Sequence, residues 1–157
     1  LFLIGLSRVT FGPIGIPESV RNAWGFKRRG DHLRILLAED DPQNRAMICV
    51  VLEDAGYHVD VAENGVEVVD AVRAGNYDVV LMDLSMPVMD GLEATRRIRE
   101  FGGSLGAIPI VALTAYAMTG DRERYLSLGV TDYLSKPMHI ADLIDVVERQ
   151  TSGVKAA

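Results

Sequence analysis

Residues 77–91 read YDVVLMDLSMPVMDG. Tyr77 to Met82 is a short apolar run of strand length, and it lacks the alternation that would mark a face open to water, so it asks for cover on both sides. Asp83 follows at once, and helical periodicity resumes from Leu92 to about Phe101. A doubly buried strand, an acid at its end, a loop and then a helix make up one repeat of a parallel α/β sheet.

The same repeat extends in both directions. Toward the amino terminus, Leu33–Ala38 is a buried-strand run that ends on Glu39, Asp40 and Asp41. Met47, Ile48, Val51 and Leu52 then fall at helical spacing between Pro42 and Ala55, with Gly56 as the stop. Tyr57–Ala62 alternates as a strand, and Asn64–Ala74 returns to the helical pattern before Gly75. Toward the carboxyl terminus, Ile108–Leu113 is a strand followed by Thr114, and a helix runs from about Thr119 to Leu128. Thr131–Leu134 is a short strand that leads into Ser135, Lys136 and Pro137, and the last helix puts Ile140, Leu143, Ile144 and Val147 on one face. Five strand-then-helix units joined by right-handed crossovers give an α/β fold with an open, doubly wound parallel sheet. Function in such sheets lies outside the carboxyl ends of the strands.

Composition limits what that site can be. The chain has 157 residues, about one domain's worth, with 48% hydrophobic and 24% charged residues, which argues against disorder or a fibrous repeat. Its net charge of −6 argues against direct nucleic-acid binding or attachment to an anionic membrane. The charge is uneven: residues 1–30 carry five basic groups and one acid, so the remainder is strongly acidic. Gly and Pro break every apolar run in that opening stretch, so residues 1–31 read as a poorly ordered leader or linker, residues 32–150 as the domain and 151–157 as a tail. A single cysteine, Cys49, excludes an internal disulfide, and three unpaired histidines argue against a histidine metal cage. A cytoplasmic location is the expectation.

At the strand ends the topology gathers Glu39, Asp40, Asp41 and Asp83 with Thr114 and Lys136. Carboxylates crowded on one rim repel one another, and a hard dication such as Mg²⁺ is suited to them. An ammonium and a hydroxyl beside them would stabilise a transferring phosphoryl group. No Ser-His-Asp or Cys-His arrangement offers another acceptor, whereas a carboxylate can itself become an acyl phosphate. Asp83, in the middle of the sheet, is the natural acceptor. Asp41 fits the start of the first helix equally well.

Glu39-Asp40, the run Met82–Gly91 around Asp83, Thr114-Ala115 and Lys136-Pro137, in that order and spacing, resemble the receiver domain of response regulators in two-component signalling. Each motif is weak alone, but the set is specific and covers about residues 32–150. The resemblance implies a flavodoxin-like (βα)5 sheet in the strand order 2-1-3-4-5. It implies Asp83 as phosphoacceptor and Mg²⁺ on Asp40, Asp83 and the backbone carbonyl of Ser85, with Glu39 acting through water. It further implies Thr114 and Lys136 at the phosphoryl oxygens, small Ala115 leaving the pocket open, and a cis Lys136–Pro137 bond. Thr114 and the aromatic ring of Tyr133 would form the switch, acting on the face of helix 4, strand 5 and helix 5, which is also a candidate homodimer surface. The loop from Glu39 to Asn44 is similar to that of receivers fused to hybrid sensor kinases, except that Asp41 stands where those commonly carry Asn. The implied partner is a sensor histidine kinase or a histidine phosphotransfer protein. The chain would then be a phosphorylated signalling module, assisting its own phosphorylation and dephosphorylation, and not an enzyme with a separate substrate.

Three alternatives are set against it. A Mg²⁺-dependent phosphatase with an aspartyl nucleophile would want an acid at position 85, where Ser85 stands. A flavin-phosphate binder would want a hydroxyl- and glycine-rich loop after the first strand, where this loop is acidic. An inactive receiver-like docking module would lack the acid, hydroxyl and lysine set.

Overall fold

The computed structural model describes residues 33–116 and 118–152; the leader expected over residues 1–31 and most of the tail lie outside them. Five strands, β1 (Arg34–Ala38), β2 (His58–Ala62), β3 (Val79–Asp83), β4 (Ile110–Thr114) and β5 (Asp132–Ser135), pair in parallel in the order β2-β1-β3-β4-β5. Helices α1 (Pro42–Asp54), α2 (Gly65–Ala74), α3 (Gly91–Arg99), α4 (Asp121–Ser127) and α5 (Ile140–Thr151) follow the strands in turn, and a single helical turn at Gly103–Gly106 lies between α3 and β4. This is the doubly wound sheet read from the apolar runs, in the implied strand order.

The pleat explains the two layers. Ile35 and Leu37 of β1 join Ile48, Leu52, Leu81, Leu113, Leu143 and Val147 in a core on the α1/α5 side. Their neighbours Leu36 and Ala38 join Val68, Val72, Val80, Met82, Ala94 and Ile98 on the α2/α3 side. Alternate residues of a strand feed opposite faces, so β1 and β3 need apolar residues at nearly every position. Each of these Leu, Ile, Val and Met side chains stabilises the fold by about 1.5–3 kcal/mol relative to exposure. Helix α4 is anchored differently, since Tyr125 is its one buried residue, packed with Ala112 and Val130.

Element ends shift by one or two residues from the sequence reading, for local reasons. The third strand starts at Val79 because the Asp78 carboxylate turns back to accept the Arg34 N–H at 2.7 Å. It ends on Asp83, which is drawn into register with Leu113. The fourth starts at Ile110, because Ile108 donates to Leu105 in the preceding turn and Pro109 has no N–H to give the ladder. Helix α1 does stop before Gly56, whose φ of 96° lies in the left-handed region that favours glycine after a helix.

Cys49 faces the core at 2% exposure, and burial, with Glu53 adding, pushes its thiol up to about 11. Little thiolate therefore forms at neutral pH, and the thiolate is the reacting species. In the folded chain Cys49 is expected to react with a chromogenic disulfide reagent only at the rate of unfolding, with urea releasing the full reaction. Rapid native labelling at pH 8 would contradict the burial.

Candidate functional site

The acid at the end of β1 turns inward. Glu39 is fully buried, its N–H donates to the Ala62 carbonyl, and its Oε1 accepts the Asp41 N–H at 3.1 Å. Its other oxygen, Oε2, lies 2.8 Å from Lys136 Nζ. Burial pushes the Glu39 carboxyl above the ordinary range; the Lys136 hydrogen bond opposes this, and the neighbouring Asp83 adds to it. Lys136 is brought from the far side of the sheet because Thr114 pairs with Ser135 and the Lys136 N–H donates to the Thr114 carbonyl at 2.7 Å. Burial works against its charge, but the Glu39 hydrogen bond and the Asp83 carboxylate outweigh it, and the net shift is upward. The Lys136–Pro137 peptide is cis, as the resemblance implies.

Asp83 stands between these groups at 4% exposure. Its Oδ2 is 3.2 Å from Lys136 Nζ, and its Oδ1 accepts the Ser85 N–H at 2.9 Å. Asp40 is exposed, and its carboxylate makes no hydrogen bond or ion pair with the described residues. Glu39, Asp40 and Asp83 each offer an oxygen within 4.8 Å of the others. Three carboxylates against one ammonium leave an excess of negative charge on hard oxygen donors, and a dication that keeps part of its water shell fits that set. Asp41 is otherwise occupied, since its Oδ1 accepts the Gln43 and Asn44 N–H groups at 2.9 and 2.8 Å and caps α1.

The two switch candidates are joined through Tyr116 and through Tyr125, the second of which has no part in the sequence reading. The buried Thr114 hydroxyl accepts the Tyr116 N–H at 3.0 Å and donates to the Tyr116 carbonyl at 3.2 Å. That carbonyl also accepts the Tyr125 hydroxyl at 3.2 Å. Tyr133, half-buried on β5, packs against the cluster that holds Tyr125. Thr114 is thus tied to α4 through Tyr116, and Tyr133 packs on the cluster in which α4 buries Tyr125. A lone tyrosine after four charged residues in a short helix was the available signal for Tyr125.

Gly91 was likewise read only as part of a motif. A Cβ there would collide with the Asp83 carbonyl oxygen and fall 2.8 Å from the Met82 side chain. Asp90 caps α3 by accepting the Glu93 N–H at 2.8 Å, so the helix start cannot slide to make room. Gly91→Ala is expected to displace the end of β3, lowering stability by about 1–3 kcal/mol, as overpacking does. Urea unfolding measures it, and an unchanged midpoint would contradict the close approach.

Among the described residues, no helix is long and apolar enough to cross a membrane. The family described as the response regulator receiver domain matches residues 35–148. The chain is 39% identical over 137 residues to the sensor protein GacS of Pseudomonas syringae pv. syringae; the match covers 86% of this chain and 15% of that protein, a small part of the relative's length. It is 41% identical to the receiver domain of a sensor histidine kinase from Pseudomonas aeruginosa PAO1, with a TM-score of 0.71 over 76% of this chain and 98% of that one. That crystal structure has a magnesium ion coordinated in the active site cleft. It is 30% identical, with a TM-score of 0.71, to the receiver domain of the Saccharomyces cerevisiae response regulator Ssk1, co-crystallised with the histidine phosphotransfer signaling protein Ypd1; 76% of this chain and 89% of that one are covered.

Proposed function

The chain belongs to the response regulator receiver family, and from that premise we propose that Asp83 accepts a phosphoryl group from a phosphohistidine. The observation that carries the assignment is the convergence of Glu39, Asp40 and Asp83 within 4.8 Å, faced by Lys136. Asp40, Asp83 and the Ser85 carbonyl would hold Mg²⁺, with Glu39 acting through water. When bound, the ion neutralises the carboxylates and offsets charge on the phosphoryl oxygens.

In the transfer, an Asp83 oxygen attacks phosphorus and a P–O bond forms. The P–N bond to the donor imidazole breaks, and its electron pair returns to the ring nitrogen, leaving an acyl phosphate. Lys136 is within reach to meet the phosphoryl oxygens while keeping Glu39 as its second partner. For Thr114 to reach the same oxygens, its hydroxyl must give up Tyr116. That exchange loosens one of two hydrogen bonds on the Tyr116 carbonyl and leaves the other, from Tyr125, to readjust. Because α4 buries only Tyr125, a small rearrangement there shifts the helix and the Tyr133 ring between two populations. The altered surface of α4, β5 and α5 is the proposed output face and homodimer contact. The same pocket is proposed to assist hydrolysis of the acyl phosphate.

The working unit is taken as residues 32–150 of a cytoplasmic protein, either a free regulator or a segment of a hybrid kinase. Its donor is a sensor histidine kinase or a histidine phosphotransfer protein. The Ypd1 complex of a similar receiver favours the second.

A Mg²⁺ titration of the unaltered chain and Asp40→Asn tests the assignment. The unaltered chain is expected to gain about 2.7 kcal/mol of unfolding free energy at a hundredfold excess of Mg²⁺ over Kd. Asp40→Asn is expected to gain almost none and, with chelator present, to be no less stable than the unaltered chain, since it relieves repulsion. Equal gains in both proteins would remove Asp40 from the site.

A further inference from the structure

Arg45 occupies the first turns of α1, where a cation opposes the helix dipole; no acid stands within the first turn, and the capping Asp41 carboxylate is bound to the Gln43 and Asn44 N–H groups. Its placement is therefore poor for the helix but specific for the loop before it. The guanidinium folds back so that Nη1 donates to the Glu39 carbonyl at 3.0 Å and to the Asp40 carbonyl at 3.3 Å. Nη2 pairs with Glu63 at 3.2 Å; the Arg45 side chain is 17% exposed and that of Glu63 61%. An ion pair so open to water orients the guanidinium more than it stabilises the fold.

The loop that carries Glu63 is itself fixed. The Ala62 carbonyl accepts the Glu39 N–H, the Glu63 N–H donates to Glu67, and the Gly65 N–H donates to the Met89 carbonyl. Gly65 sits so close to Met89 that a Cβ would meet its carbonyl oxygen at 2.6 Å. Arg45 thus spans two loops, gripping the backbone of two acidic residues from a firm base.

We propose that Arg45 is a positioning residue for the metal pocket: its guanidinium fork, with Nη1 on the Glu39 and Asp40 carbonyls and Nη2 on Glu63, holds the turn that aims the Glu39 and Asp40 carboxylates toward Asp83. This rests on reading those three acids as the Mg²⁺ site. Two physical roles for Arg45 then predict opposite signs. As a bare positive charge beside the pocket it repels a dication, and its removal tightens Mg²⁺ binding. As a clamp, its removal lets the turn relax and weakens binding. Lysine separates the two, because it keeps the charge and loses the planar fork.

The experiment is a Mg²⁺ titration of the full chain, followed through amide proton–nitrogen shifts, for the unaltered protein, Arg45→Met and Arg45→Lys. The clamp predicts a Kd weaker by about tenfold in Arg45→Met, the scale typical of residues that orient metal ligands, and a loss of the same sign in Arg45→Lys. The spectrum away from the loop should be unchanged in both. If Arg45→Met fails to fold, Arg45→Lys decides. Binding that is unchanged or tighter in the variants overturns the clamp and leaves the Mg²⁺ site standing. Absence of Mg²⁺ binding by the unaltered chain overturns both.

Discussion

Asp83→Asn is expected to take up no phosphoryl group from a phosphorylated histidine phosphotransfer domain in the presence of Mg²⁺, whereas the unaltered chain takes up one. The substitution keeps the size of the side chain and the oxygen that accepts the Ser85 N–H, so the loop after β3 retains its anchor. What it removes is the anionic oxygen facing Lys136, the one proposed to form the mixed-anhydride bond to phosphorus. An amide is a far poorer nucleophile, and the neighbouring acids are otherwise engaged: Glu39 is bound to Lys136 and the Asp41 N–H, Asp41 is bound to the start of α1, and Asp40 is the proposed Mg²⁺ ligand. Intact-mass measurement reads the outcome directly. Equal uptake by Asp83→Asn would place the phosphoryl group elsewhere.

Lys136→Met is expected to damage stability as well as chemistry. Glu39 is fully buried and Lys136 is its cationic partner, so removing the ammonium strands a carboxylate whose charge burial already disfavours. Breaking a buried pair from one side costs about 3–5 kcal/mol; with the Lys136 side chain 21% exposed, the lower end is expected. Urea unfolding without Mg²⁺ should show that loss, and phosphoryl uptake should fall sharply even under conditions where the variant is folded. A double variant, Glu39→Gln with Lys136→Met, should recover most of the stability and none of the uptake. An unchanged midpoint in Lys136→Met would mean that Glu39 does not depend on it.

The sheet and its acidic rim were legible because each strand is a short apolar run that ends on a polar residue. Glu39, Asp83, Thr114 and Lys136 each stand within one or two residues of such an end, and parallel register carries all of them to one edge. The largest shifts in the strands fall where a side chain or a proline alters the ladder, as Asp78 and Pro109 do at the starts of β3 and β4, and the helical turn at Gly103–Gly106 had no apolar period to mark it. Directions of side chains were not legible. The sequence has Arg45 six residues after Glu39, but only the turn of α1 shows that its guanidinium comes back to two carbonyls. Thr114 was placed at the rim from its register, while its bonds to Tyr116 depend on how the β4–α4 loop folds over it. Tyr125 stands out locally only as a lone tyrosine among charges, and its contact across the loop to the Tyr116 carbonyl is visible in the fold alone. The ambiguity over Asp41 resolves through hydrogen bonds to Gln43 and Asn44, which make it a helix cap.

Among these acids, Asp83 is the one proposed to carry the phosphoryl group. Borohydride reduction of the freshly phosphorylated chain converts an acyl phosphate on aspartate to homoserine, and peptide mass mapping then locates it. The prediction is homoserine at position 83 alone, formed with Mg²⁺ and lost when the ion is chelated before phosphorylation. Homoserine at position 40 or 41, or none after verified transfer of the phosphoryl group, would contradict it.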